Sequence, residues 1–163
     1  MKHLLRFAAL LTVLTTAALA APSAQQSFDS LKGLAGEWEG KTPQGEHITV
    51  SYRVLANGSS LVSEMSGHDD NMISVFHLDK NRLLLTHYCG AGNQPRMQAT
   101  ASPDGKTITF DFVDGTNILP SQMGHMRRLV VTMADANHHS EDWIFAANDG
   151  KELQRRFELQ RKK

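Results

Sequence analysis

Gly36-Glu37-Trp38-Glu39-Gly40 is the stretch on which the reading of this chain turns. Two glycines flank an alternating Glu-Trp-Glu, which suits a first β-strand with Trp38 turned inward and both carboxylates turned to water. Glycine on either side lets the backbone kink or close tightly, as the end of a barrel requires. An apolar lead-in precedes it, Phe28 to Leu34. That lead-in reads as one or two helical turns with Ser27 or Asp29 as cap and Gly33 or Gly36 as stop.

Beyond Trp38 the pattern changes to period two and stays there. His47 to Leu55 sets Ile48, Val50, Tyr52 and Val54 against Thr49, Ser51 and Arg53, and Asn57-Gly58 follows as a hairpin turn. Ser60 to Ser66 returns, and Gly67 to Asp70 makes a polar turn. Asn71 to Leu78 and Arg82 to Cys89 are the most apolar strands, joined through Asp79-Lys80-Asn81. Arg96 to Ala101 and Thr107 to Val113 flank the turn Pro103-Asp104-Gly105-Lys106. Asp114 to Gly124, the longest irregular piece, reads as a flap; His125 to Met133, His139 to Ala146 and Glu152 to Gln160 close the series. About ten short strands joined mostly by tight turns fit a closed up-and-down barrel or a sandwich. No long helical pattern interrupts them, which argues against a parallel α/β fold. The expectation is one all-β, antiparallel domain with a short N-terminal helical turn.

The ends bound the function. Lys2 and Arg6 precede an apolar run from Phe7 to Leu19 and a small-residue cleavage site at Ala18-Leu19-Ala20. This reads as a secretory signal peptide over residues 1–20, too short and wrongly flanked for a membrane span. Residues 21–27 then read as a disordered tether and residues 28–163 as the domain. Removing the first 20 of 163 residues leaves 143, enough for one real core, with 15 basic and 17 acidic side chains. A near-neutral surface gives no electrostatic reason to expect nucleic acid or an anionic membrane. Cys89 is the only cysteine, so no internal disulfide is available and the core must hold the fold together. The expected location is periplasmic or secreted, with no membrane span.

Gly36-Glu37-Trp38 on a first strand, followed by a meander of about nine more, resembles the lipocalin and fatty-acid-binding (calycin) superfamily of β-barrels. Gly36-x-Trp38-x-Gly40 also resembles the opening of nitrobindin-like haem barrels. The segments Leu85-Thr86-His87-Tyr88-Cys89 and Asn93-Gln94-Pro95-Arg96-Met97 are similar to a group of uncharacterised bacterial exported lipocalin-like proteins. The resemblance implies a single up-and-down barrel. Lipocalins close one barrel end with the motif tryptophan beneath an arginine from a late strand. Fatty-acid-binding proteins hold a carboxylate with a last-strand Arg-x-Tyr. In the last strand here Leu153, Arg155, Phe157 and Leu159 share a face, so both comparisons fall on Arg155, with Phe157 replacing the tyrosine.

No set of side chains assembles into an evident catalytic or metal site. His138 and His139 are neighbours and on a strand point to opposite faces. No histidine spacing matches a zinc signature. His77 and His87 lie in apolar strands; a three-residue loop with Asn81 left-handed would place both on one face with Ile73, Val75, Leu83, Leu85 and Cys89. A two-residue loop would instead move His87 to the face of Ser74 and Phe76. The first register collects the better apolar set. Cys89 stands two residues from His87, about 7 Å along a strand, too far for direct activation. Glu64 and Asp111 are single carboxylates without a partner for acid–base work.

The leading expectation is therefore a binding module holding a small apolar or amphipathic molecule inside the barrel. Its wall residues are Trp38, Tyr52, Met65, His77, His87, Cys89, Phe110 and Arg155. The alternative implied by the nitrobindin-like opening is haem, with a histidine as axial ligand. A further alternative is a structural or partner-binding exported domain with a filled interior.

Overall fold

The computed structural model describes residues 20–42, 45–67 and 70–163, Asp70 by its backbone alone. The export signal expected over residues 1–20 lies, but for Ala20, outside the described residues, as do His68 and Asp69 of the expected polar turn. One helix, α1 (Ala24–Lys32), precedes ten strands: β1 (Gly36–Lys41), β2 (His47–Leu55), β3 (Ser60–Gly67), β4 (Asp70–Asp79), β5 (Arg82–Tyr88), β6 (Gln94–Ala101), β7 (Thr107–Thr116), β8 (Gly124–Met133), β9 (His138–Ala147) and β10 (Glu152–Arg161). Each strand pairs antiparallel with its sequence neighbour, and β1 pairs with β10, so the sheet closes into a barrel. Closure removes the unpaired edges that an open meander would present.

The helix starts earlier than its sequence reads. Ser23 is the N-cap: its hydroxyl accepts from the Gln26 amide at 3.2 Å, and the Gln26 side chain accepts from the Ser23 amide at 2.8 Å. This capping box satisfies two donors that would otherwise be orphaned, so the first turn forms from residues that composition alone marks as a tether. Phe28 and Leu31, with Leu34 beyond the helix, are buried and close the lower end of the barrel. There α1 packs against β2, β4, β5 and β6.

Trp38 is wholly buried at this end, and its indole N–H donates to the Leu34 carbonyl at 2.7 Å. The expected cap arginine is corrected here. Arg161, not Arg155, lies over the Trp38 ring, its guanidinium carbon 4.3 Å from the ring centroid. The two arginines share a strand face six residues apart, so parity alone leaves both eligible. Register decides: Trp38 pairs with Arg161, which sets Arg155 near the opposite end of β10. Both glycines of the opening motif have a steric reason. Gly36 has φ +129°, and a Cβ there would meet the Arg161 guanidinium at 2.8 Å; a Cβ on Gly40 would strike the Glu158 carbonyl of β10.

A second correction concerns the β4–β5 hairpin. Asp79 pairs with Arg82 across a two-residue turn, Lys80-Asn81, with Lys80 rather than Asn81 at positive φ (56°). His77 therefore pairs with Leu84 on the outer face, and His87 pairs with Ser74 on the inner one. The interior row becomes Ser74, Phe76, Leu83, Leu85 and His87, all buried, while Ile73 and Tyr88 are left exposed outside. Both faces of these strands are rich in apolar residues, so the pattern does not fix the parity and packing inside the barrel does.

Candidate functional site: a cavity at the open end

Among the described residues, no helix covers the end opposite α1. β1 stops at Lys41, so β10 pairs with it only through residues 158–161, and Glu152 to Phe157 have no β1 partner. The wall opens there between the β1–β2 hairpin and β10. Through this opening and the mouth lies a cavity of about 440 Å³, within the size range of small-molecule sites. Trp143, Phe145, Phe157, Ile48 and four methionines make its walls, while Glu46, His47 and Arg155 supply polar groups among its lining. Arg155 lies directly across the ladder from Trp143. Among the described residues it makes neither an ion pair nor a hydrogen bond.

A buried polar cluster adjoins the cavity through Trp143. The indole N–H of Trp143 donates to one Glu141 oxygen at 2.8 Å, and the Tyr52 hydroxyl donates to the other in a short contact. His139 Nε2 stands 3.7 Å from the same Glu141 oxygen and 3.4 Å from the Tyr52 hydroxyl oxygen. Burial works to raise the Glu141 carboxyl, but His139 and the Tyr52 and Trp143 hydrogen bonds outweigh it, leaving the pKa below the ordinary carboxylate value. Burial first, and Glu141 second, push the Tyr52 phenol well up. Tyr52, His139 and Glu141 are each 2% exposed. Both oxygens of this carboxylate are committed to protein donors and closed to water, which is the arrangement of a structural tie between β2 and β9.

His87 sits beside this cluster with its ring 4.7 Å from that of Trp143. Its Nδ1 lies 3.0 Å from the Ser74 hydroxyl, and its Nε2 is buried without a hydrogen-bond partner. Burial lowers its pKa to about 4, so the imidazole is neutral at physiological pH.

The eight sequence-selected residues divide three ways. Met65, Cys89 and Arg155 line the cavity. Trp38, Tyr52, His87 and Phe110 lie in the packed interior, none more than 2% exposed. His77 faces outward on β4. Sequence reading missed Trp143, Phe145 and Phe157 as walls, and His139 with Glu141 as a buried pair. The alternation Glu141-x-Trp143-x-Phe145 in β9 was the available signal, since it puts a carboxylate on the same face as two aromatic rings.

The described residues offer haem no buried axial ligand in the cavity. An axial ligand must present an imidazole nitrogen to the cavity, and His47, on the exposed β1–β2 hairpin, is the one histidine among the described lining residues. His87 is packed against Trp143 with 2% exposure and is not part of the lining. Among the described residues, no group of three or more His, Cys, Asp or Glu is placed to hold a metal ion. A second hollow of about 330 Å³ lies near His138, Arg156 and Glu158. Its charges are already paired, His138 with Asp135 and Arg156 with Asp142 and Glu158.

No family model matches the chain, and no curated protein matches it. Solved structures do. Rv2717c from M. tuberculosis superposes with a TM-score of 0.58 at 15% identity, over 84% of this chain and 98% of that one. A protein of unknown function from the DUF3598 family of Nostoc punctiforme superposes with a TM-score of 0.53 at 10% identity, over 82% of this chain and 49% of that one. At these identities the likeness carries the fold alone, a closed antiparallel barrel.

Proposed function

We propose that this chain is an exported binding protein that holds a small apolar or amphipathic molecule in the open end of its barrel. The observation that carries the reading is the contrast between the two ends. One is closed by α1, Trp38 and Arg161; the other opens into a cavity with aromatic and thioether walls and one cation, Arg155, that is unpaired among the described residues. Apolar walls supply the binding free energy and a few polar groups fix orientation. An amphipathic ligand would place its apolar body against Trp143 and an acidic head at Arg155.

Titrations of dodecanoic acid and dodecanol, followed by tryptophan emission, test this. Saturable 1:1 binding is expected, with the response lost in Trp143→Phe because Trp38 is remote from the cavity. In Arg155→Gln, affinity for the acid should fall and affinity for the alcohol should not. Absence of saturable binding by either probe would sink the reading and leave the filled structural domain in its place. Haemin serves as the control for the alternative, and no histidine-dependent Soret band is expected. Export is checked separately by N-terminal sequencing of periplasmic protein, which should begin at Ala21.

A further inference from the structure

Four of the seven methionines line the open-end cavity: Met65, Met72, Met123 and Met126. Two of them have a defined geometry. Met65 on β3 pairs directly across the ladder from Met72 on β4, which sets their Cβ atoms about 5 Å apart on the inner face. The β4–β5 register pairs Ser74 with His87 and Ile73 with Tyr88. β5 ends at Tyr88; Cys89 is the next residue along the chain, and it lines the cavity together with Met72. Two adjacent strands and the residue that follows the third therefore present thioether, thioether and thiol to the same cavity. The wall is concave, and the methionine side chains are long and unbranched, so the sulfurs can converge on a point in front of Met72.

We propose that Met65, Met72 and Cys89 form a three-sulfur site for a soft monovalent cation, with Cu(I) as the intended class and Ag(I) as its redox-stable stand-in. Soft thioether and thiolate donors select such ions over the hard cations that carboxylate and carbonyl oxygens favour. On binding, the Cys89 thiol releases its proton to solvent and the thiolate supplies the one negative charge, neutralising the ion. The buried carboxylate takes no part, since both Glu141 oxygens are occupied by protein donors. The site does not depend on the apolar-ligand reading, because these three residues form one wall of the cavity and the aromatic side chains form others.

The experiment is anaerobic titration of the whole protein with Cu(I) against a chromogenic Cu(I) chelator, repeated with Ag(I). The wild type should take up one ion per chain. Met65→Leu, Met72→Leu and Cys89→Ser should each weaken the affinity by at least about tenfold, a loss that even outer-shell substitutions at metal sites reach. Leucine is close in volume to methionine and suits a buried wall. Met133→Leu, at the closed end of β8 and outside the cavity lining, should keep wild-type affinity. X-ray absorption on the loaded wild type needs no variant and should show a first shell of three sulfurs. Failure of the wild type to compete with the chelator would overturn the proposal. So would uptake that survives both methionine substitutions and is lost only in Cys89→Ser, which is adventitious thiol binding. Apolar-ligand binding without Cu(I) uptake would mean that the thioethers serve only as adaptable wall.

Discussion

Arg161→Ala separates the closed end from the open one. The guanidinium donates to three main-chain carbonyls: Nε to Ala136 at 3.0 Å, Nη1 to Ala35 at 2.7 Å and Nη2 to Gly33 at 2.8 Å. It also lies over the Trp38 ring at 4.3 Å. In a part-exposed setting water can replace some of each contact, so the three hydrogen bonds contribute about 0.5–1 kcal/mol apiece. A cation–π contact on a buried indole adds about 1 kcal/mol. The loss should therefore be about 3 kcal/mol, or roughly a 10 °C fall in Tm for a domain of this size. Trp38→Ala should cost about 3–5 kcal/mol through the cavity it leaves. Because the two side chains touch, the double variant should be less destabilised than the sum of the singles by about 1 kcal/mol. Arg155→Ala, at the cavity mouth with no partner among the described residues, should change stability by no more than about 0.5 kcal/mol. Urea denaturation of the three single variants and the Trp38–Arg161 double decides. A cost at Arg161 below about 0.5 kcal/mol, or an equal cost at Arg155, would refute the division of labour between the two arginines.

Two further outcomes concern the interior. Glu141→Leu strands the Tyr52 hydroxyl and the Trp143 N–H without acceptors and should cost about 3–5 kcal/mol, whereas Glu141→Gln keeps an acceptor and should cost less by urea denaturation. His87 has a folded pKa of about 4 against an ordinary 6.5. The unfolded chain therefore takes up the proton first, so stability is complete above pH 6.5 and falls by about 3 kcal/mol as pH drops towards 4. His125, also lowered by burial, acts in the same direction. His87→Gln should flatten this slope in denaturation curves between pH 7.5 and 4.5, and an unchanged slope would remove His87 from the account.

The strand plan was legible because turn chemistry and period-two alternation agree along most of the chain. Thr107 to Val113 alternates cleanly; Ile108 and Phe110 are buried as that pattern requires, and Phe112 is half-buried. Where both faces of a strand are apolar the pattern loses its power. Ile73, Val75 and His77 form as plausible an inner row as Ser74, Phe76 and Leu78, and only closure against the other nine strands decides between them. The difference between Arg155 and Arg161 was illegible for another reason. Both satisfy the same parity, and the register between the first and last strands is a long-range fact that no local stretch encodes. The cavity itself was legible only in part. Met65, Cys89 and Arg155 belong to it, yet its position depends on where β1 stops relative to β10, and the short β1–β2 hairpin gives no local sign of the gap it leaves.

The exposed apolar side chains follow the same polarity as the stability. Ile73, Tyr88, Val113, Leu119, Met123 and Leu153 are all more than a third exposed, and each lies towards the strand ends or loops of the open mouth. At the closed end Val54 and Leu55 are the exposed large apolar residues. Exposed apolar side chains are ordinary when scattered, and a ring of them around one opening is not. The lower barrel supplies what such a rim requires of its scaffold. There the helix, the Trp38–Arg161 stack and the Glu141 cluster tie β1, β2, β9 and β10 together. The upper half of β10 can then forgo a β1 partner, and the mouth can remain open without unravelling the closed end. Local stability is concentrated at the closed end, and the less constrained wall is the one that carries Arg155, Leu153 and Phe157.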